Sequence, residues 1–68
     1  MIEIGKPSEF RMTYDEAVMY CFCLGDGWRL PTSFEYFNED GVDVGSWYVG
    51  KDMMYLWPVT PVRDLKDD

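Results

Sequence analysis

The chain contains no histidine. That absence removes the side chain most often used as a general base near neutral pH, and the commonest metal-binding imidazole. Ser-His-Asp and Cys-His nucleophilic catalysis are excluded with it. Cysteine is scarce, with only Cys21 and Cys23 present. Two positions apart on a predicted helix, they lie about 200° around its axis and point to nearly opposite faces. A bridge between them would break the helix geometry, so both are read as reduced thiols, which fits a cytoplasmic setting. Closed structural zinc sites take four Cys or His ligands, so two cysteines do not suggest one. No catalytic residue, metal or cofactor is expected.

Long apolar runs are also missing. Nothing approaches the roughly 20 residues that span a bilayer, and no basic-then-apolar leader opens the chain, so neither membrane insertion nor signalled export is expected. Cations are few, six Lys and Arg against thirteen Asp and Glu, for a net charge of -7. Such a field repels nucleic-acid phosphates and anionic lipid over about 10 Å at moderate salt, so no direct contact with nucleic acid or membrane is expected. It attracts basic protein surfaces. Repeats, low-complexity tracts and linkers are absent too, which makes residues 1–68 one domain.

The chain is rich in aromatic residues, at 18% of its 68 positions. A domain of this size buries only roughly 60% of its unfolded surface. Large rings compensate, each removing on the order of 150–250 Å² from water. Trp28, Trp47 and Trp57 are the expected core anchors.

Local signals give two helices. Thr13-Tyr14-Asp15-Glu16 is a capping box, so a helix starts at Tyr14. Ala17, Tyr20, Cys21 and Leu24 follow at i, i+3, i+4 and i+7 as one apolar face, Met12 can staple back onto Ala17, and Gly25 supplies the stop. A second box, Thr32-Ser33-Phe34-Glu35, opens a short helix reaching about Phe37. Ile2 and Ile4 alternate around Glu3 as a short opening strand. Residues 46–49 and 53–59 are read as two strands joined by a tight loop through Gly50, Lys51 and Asp52. Pro58 and Pro61 lack amide donors, which marks the last segment as an edge or bulged strand. The tail from Asp64, and residues 65–68 above all, is expected to fray.

The run MTYDEAVMYCFCLGDGWRLPTSFEY, residues 12–36, resembles formylglycine-generating-enzyme-like domains. These read approximately Ala-x-x-Tyr-Cys, Leu-Gly, then Arg-Leu-Pro-Thr-x-x-Glu. The matching positions are Ala17, Tyr20, Cys21, Leu24, Gly25, Arg29, Leu30, Pro31, Thr32 and Glu35. The chain is also similar to Lcl C-terminal-type domains, which share Gly-Trp-Arg-Leu-Pro-Thr and close with a strand like Pro61-Val62-Arg63-Asp64. Trp47-Tyr48-Val49 fits that second relative better. The resemblance covers about a third of the chain well. It implies an α+β, much shortened C-type-lectin-like fold, two helices on a small twisted antiparallel sheet, and a phage or mobile-element origin. It does not carry over the enzyme's activity, because the copper-binding cysteine pair of such enzymes lies in the later part of a larger domain and no cysteine in this chain follows Cys23. Read on their own chemistry, Thr13, Glu16, Thr32 and Glu35 are helix caps, and Arg29 is a donor to a fork of carbonyls or a carboxylate.

Two features remain to carry function. Glu39, Asp40 and Asp43 form an acidic turn without the ordered spacing of a calcium loop, and it is read as solvated. Met53, Met54, Tyr55, Leu56 and Trp57 form an apolar cluster that one face of a half-covered sheet cannot hide. Either it is core or it is a contact surface, with Tyr48, Met54 and Trp57 the first interface residues. The function expected is a non-catalytic protein-binding module, self-associating or docked on a larger partner. The alternative is a small acidic inhibitor of a host nucleic-acid-binding or defence protein.

Overall fold

A computed structural model describes residues 1–42 and 45–65 of the chain. It is a small α+β protein with the element order β1 (Ile2–Ile4), α1 (Tyr14–Leu24), α2 (Ser33–Asn38) and β2 (Val62–Asp64). The strands pair antiparallel, with Ile2 opposite Asp64 and Ile4 opposite Val62.

Both helices begin as their caps dictate. Thr13 Oγ1 accepts the Glu16 amide at 3.2 Å, and Glu16 Oε1 accepts the Thr13 amide at 2.9 Å. Thr32 and Glu35 repeat the exchange at 3.1 and 2.9 Å. The first helix stops at Gly25, whose φ of +70° suits glycine and whose amide bonds Phe22 O. Of the expected apolar face, Ala17 and Cys21 are fully buried and Tyr20 partly so, while Leu24 is exposed.

The segment from Trp57 to Val62 forms the spine. On one side it bonds the amino-terminal segment: Trp57 and Met12 exchange backbone bonds, Val59 O accepts from Ser8, and Pro61 O accepts from Gly5. On the other, Val62 exchanges bonds with Arg29 at 2.8 and 2.9 Å, and Pro58 O accepts from Trp47. The two prolines are therefore not on an edge. Their carbonyls are used while their missing amides interrupt the ladder, leaving regular strand only at residues 62–64.

The expected hairpin does not form. Residues 46–49 are tied one bond at a time to Pro58 and Pro31, and residues 53–55 form a turn started by Asp52, whose Oδ1 accepts the Met54 amide at 2.9 Å. Nor does the tail fray from Asp64, which closes β2, and the Leu65 amide bonds Met1 O at 3.2 Å. Residues 66–68 lie outside the described part.

Ala17, Cys21, Leu30, Trp47 and Val59 make the core, with Met12, Tyr14, Tyr20 and Trp57 packed around it. Of the three tryptophans only Trp47 is fully buried. Its indole N–H donates to Met12 O at 2.7 Å and its ring meets Tyr14 edge-on. Trp28 instead lies half-buried between Arg63 and Gly5, where a Cβ would come within 3.0 Å of the ring. Ser46 and Thr60 are buried with their hydroxyls 3.2 Å apart.

Replacing Trp47 by alanine should cost about 3–5 kcal/mol, a large part of what a domain this small has. Urea titration followed by circular dichroism should find that variant largely unfolded in water. Leu56→Ala, on an exposed side chain, should move the midpoint little.

Candidate docking surface

Arg29 is placed by its backbone exchange with Val62 beside the start of α2. Its Nη1 donates to Glu35 Oε1 at 2.8 Å, and its Nη2 donates to Glu35 Oε2 at 3.0 Å and to Asp64 Oδ1 at 2.9 Å. Nη1 also reaches Leu30 O at 3.2 Å. The fork joins the RLPT turn, α2 and β2. The Arg29 hydrogen bonds, helped by the Thr32 amide, hold the Glu35 carboxyl down at about 2, below its ordinary 4.5. Glu35 and Asp64 in turn raise the guanidinium's pKa. Both Glu35 oxygens are engaged by protein donors, so this cluster is built for structure.

The two cysteines differ in their surroundings. Burial pushes the Cys21 thiol up to about 11, so it is protonated near neutral pH. Cys23 is exposed on the other side of α1, and the two are not bridged. Among the described residues no group of three or more Cys, Asp or Glu is placed to hold a metal ion. No helix among them is long and apolar enough to cross a membrane.

What the fold does assemble is an aromatic face. Short α2 carries Tyr36 and Phe37, and the Tyr36 ring stacks on Tyr48 at 4.4 Å while Phe37 meets both edge-on. The Tyr36 hydroxyl is anchored by the Gly45 amide at 2.8 Å. Lys51 lays its ammonium over three rings, 4.0 Å from the Trp57 centroid, 5.1 Å from Tyr36 and 5.4 Å from Tyr48. The same ammonium donates to Ser46 O at 2.9 Å. Tyr55 continues the ribbon, its ring 6.1 Å from Trp57.

Of the residues singled out from sequence, Tyr48 and Trp57 are brought together, half-buried, by the Lys51 ammonium, and Met54, on the turn after Asp52, is 82% exposed. Met53, Tyr55 and Leu56 are also more than half exposed, so the 53–56 cluster is surface rather than core. Glu39 and Asp40 are exposed at the end of α2, next to Phe37. Asp43 lies outside the described residues. Tyr36, Phe37 and Lys51 were not anticipated. They come from two separate stretches of chain, α2 and the loop at Lys51, and no spacing in the sequence signals that they meet.

A second apolar surface is a shallow groove along α1, about 540 Å³, lined by Phe10, Met12, Met19, Tyr20, Cys23 and Leu24 together with Arg11 and Glu16. No protein-family model, curated protein or solved structure matches the chain.

The depressed Glu35 pKa fixes a pH dependence. A carboxyl lowered in the folded state contributes stability that is present above the unfolded pKa and lost as pH falls from about 4.5 through about 2. Urea midpoints measured from pH 6 to pH 2 should drop across that window. Arg29→Met should be less stable at pH 6 and show a much flatter decline.

Proposed function

We propose that the chain is a non-catalytic protein-docking module working in the cytoplasm, and that its contact surface is the ribbon of Phe37, Tyr48, Met53, Met54, Tyr55 and Trp57. The observation that carries this reading is a chain of ring contacts, Phe37 to Tyr36 and Tyr48 and Tyr55 to Trp57, joined through Lys51, with Met53 and Met54 exposed just before Tyr55. The Tyr36 hydroxyl, the Lys51 ammonium and the Asp52 carboxylate tie the loops by hydrogen bonds, and Phe37, Met53, Met54 and Tyr55 are exposed. Interface centres are enriched in such residues, and rings supply contact area at small entropy cost. So many exposed large apolar side chains, grouped on residues 53–56 beside linked rings, are what a partner would cover.

The non-catalytic part of the reading is supported by the missing imidazole, the protonated buried thiol and the saturated Arg29 fork. The finer fold assignment, a shortened C-type-lectin-like domain, rests on Gly27-Trp28-Arg29-Leu30-Pro31-Thr32 and on the role of Arg29 in tying that turn to α2 and β2. A phage or mobile-element source and the role of acidic inhibitor belong to the same proposal, and net charge supports the latter.

A photo-crosslinking amino acid at position 54, in cells that carry the chain, should give one discrete protein adduct. The same group at position 9, among exposed residues outside the ribbon, should not. No adduct at position 54, or equal labelling from both, would contradict the proposal. Met54→Asp should leave Tm within about 2 °C of wild type, so loss of partner in that variant is not loss of fold.

A further inference from the structure

The aromatic ribbon has a charge pattern that the α1 groove lacks. Glu9 and Glu16 beside the groove are offset by Lys6 and Arg11. At the ribbon, Glu39 and Asp40 follow Phe37 at one end, and Asp52, whose carbonyl accepts the Trp57 indole N–H at 3.4 Å, stands at the other. The cation between them is Lys51, and its ammonium is already covered by Tyr36, Tyr48 and Trp57. Elsewhere Arg29 is held by Glu35 and Asp64, and Arg63 by Glu3. The exposed rings at the two ends, Phe37 at 70% exposure and Tyr55 at 60%, thus lie within three residues along the chain of exposed carboxylates that, among the described residues, have no cation paired with them.

We infer that this face receives a basic segment of another protein, with arginines stacked on Phe37 and Tyr55 and paired with Glu39, Asp40 and Asp52. The inference rests on the docking reading and names its occupant. Guanidinium is the fitting group because it is planar, stacks on ring faces, and offers a carboxylate two parallel donors at its edge. Lys51 already makes cation–ring contacts with Tyr36, Tyr48 and Trp57, the rings that Phe37 and Tyr55 touch. A second copy of the chain is a poor occupant, since it would bring a like net charge of -7 and set one acidic rim against another.

The test is fluorescence anisotropy with a labelled peptide of alternating arginine and glycine, against its lysine counterpart, at low and moderate salt. The arginine peptide should bind more tightly, by about tenfold. Phe37→Ser combined with Tyr55→Ser changes no charge and should abolish that preference. Glu39→Gln with Asp40→Asn should weaken binding several-fold more than Glu9→Gln with Asp15→Asn, which changes net charge equally on residues away from the ribbon. Equal binding of both peptides, or equal loss from both pairs of charge variants, would mean the general field alone attracts cations and would overturn the inference. A dimer in light scattering that the Phe37/Tyr55 variant dissociates would overturn it in favour of a second copy. That last result would leave docking through the ribbon intact, whereas failure to crosslink at position 54 would remove docking itself.

Discussion

The Arg29 fork is the interaction on which the arrangement depends. Among the described residues, two three-residue strands and two helices give little regular hydrogen bonding to hold the parts in place. Arg29 joins what those elements leave separate: its backbone pairs with Val62, while its guanidinium reaches Glu35 on α2 and Asp64 on β2. Glu35 serves twice, capping Thr32 through the oxygen that also accepts from Arg29. Because the charges are hydrogen-bonded on several sides and partly shielded, the pair is worth more than an exposed surface ion pair, which contributes about 0–1 kcal/mol.

With the turn, α2 and β2 fixed, the single spine of residues 57–62 can hold the amino-terminal segment on one side and Trp47 on the other. The core cluster is correspondingly small, Trp47 and four smaller side chains, and the other rings lie at its edge or outside it. Tyr36, Tyr48 and Trp57 solve this by closing on Lys51, an arrangement that half-buries three rings and a cation together. Phe37, Tyr55, Met53 and Met54 stay outside. The exposed aromatic face is thus a consequence of an aromatic-rich chain with a core too small to enclose all its rings.

What the sequence made legible was local. Both capping boxes lie within four residues, so hydroxyl and carboxylate find their targets wherever the rest of the chain goes, and both helix starts follow. Arg29 could be recognised as a donor to a carboxylate, since Glu35 lies just beyond the turn it belongs to. The hairpin failed because residues 53–57 are apolar without alternating faces to sort. Asp52 turns the chain there, and the apolar run ends on the surface. Pro58 and Pro61 misled for a different reason: a missing amide says nothing about the carbonyl, and those carbonyls bond Trp47 and Gly5. Of the docking surface, Tyr48, Met54 and Trp57 were legible as an apolar excess. The Lys51 cage was not, because it is assembled by packing between distant positions.

The most direct measurement is a double-mutant cycle between Arg29→Met and Glu35→Gln, read from urea unfolding at pH 6. Glutamine keeps the Thr32 cap, so the cycle isolates the ion pair from the helix start. A coupling of about 1.5–3 kcal/mol, the range for hydrogen bonds to charged groups, is the predicted result. A coupling below about 0.5 kcal/mol, in the range of an ordinary surface pair, would contradict the central role of Arg29 in holding the fold together.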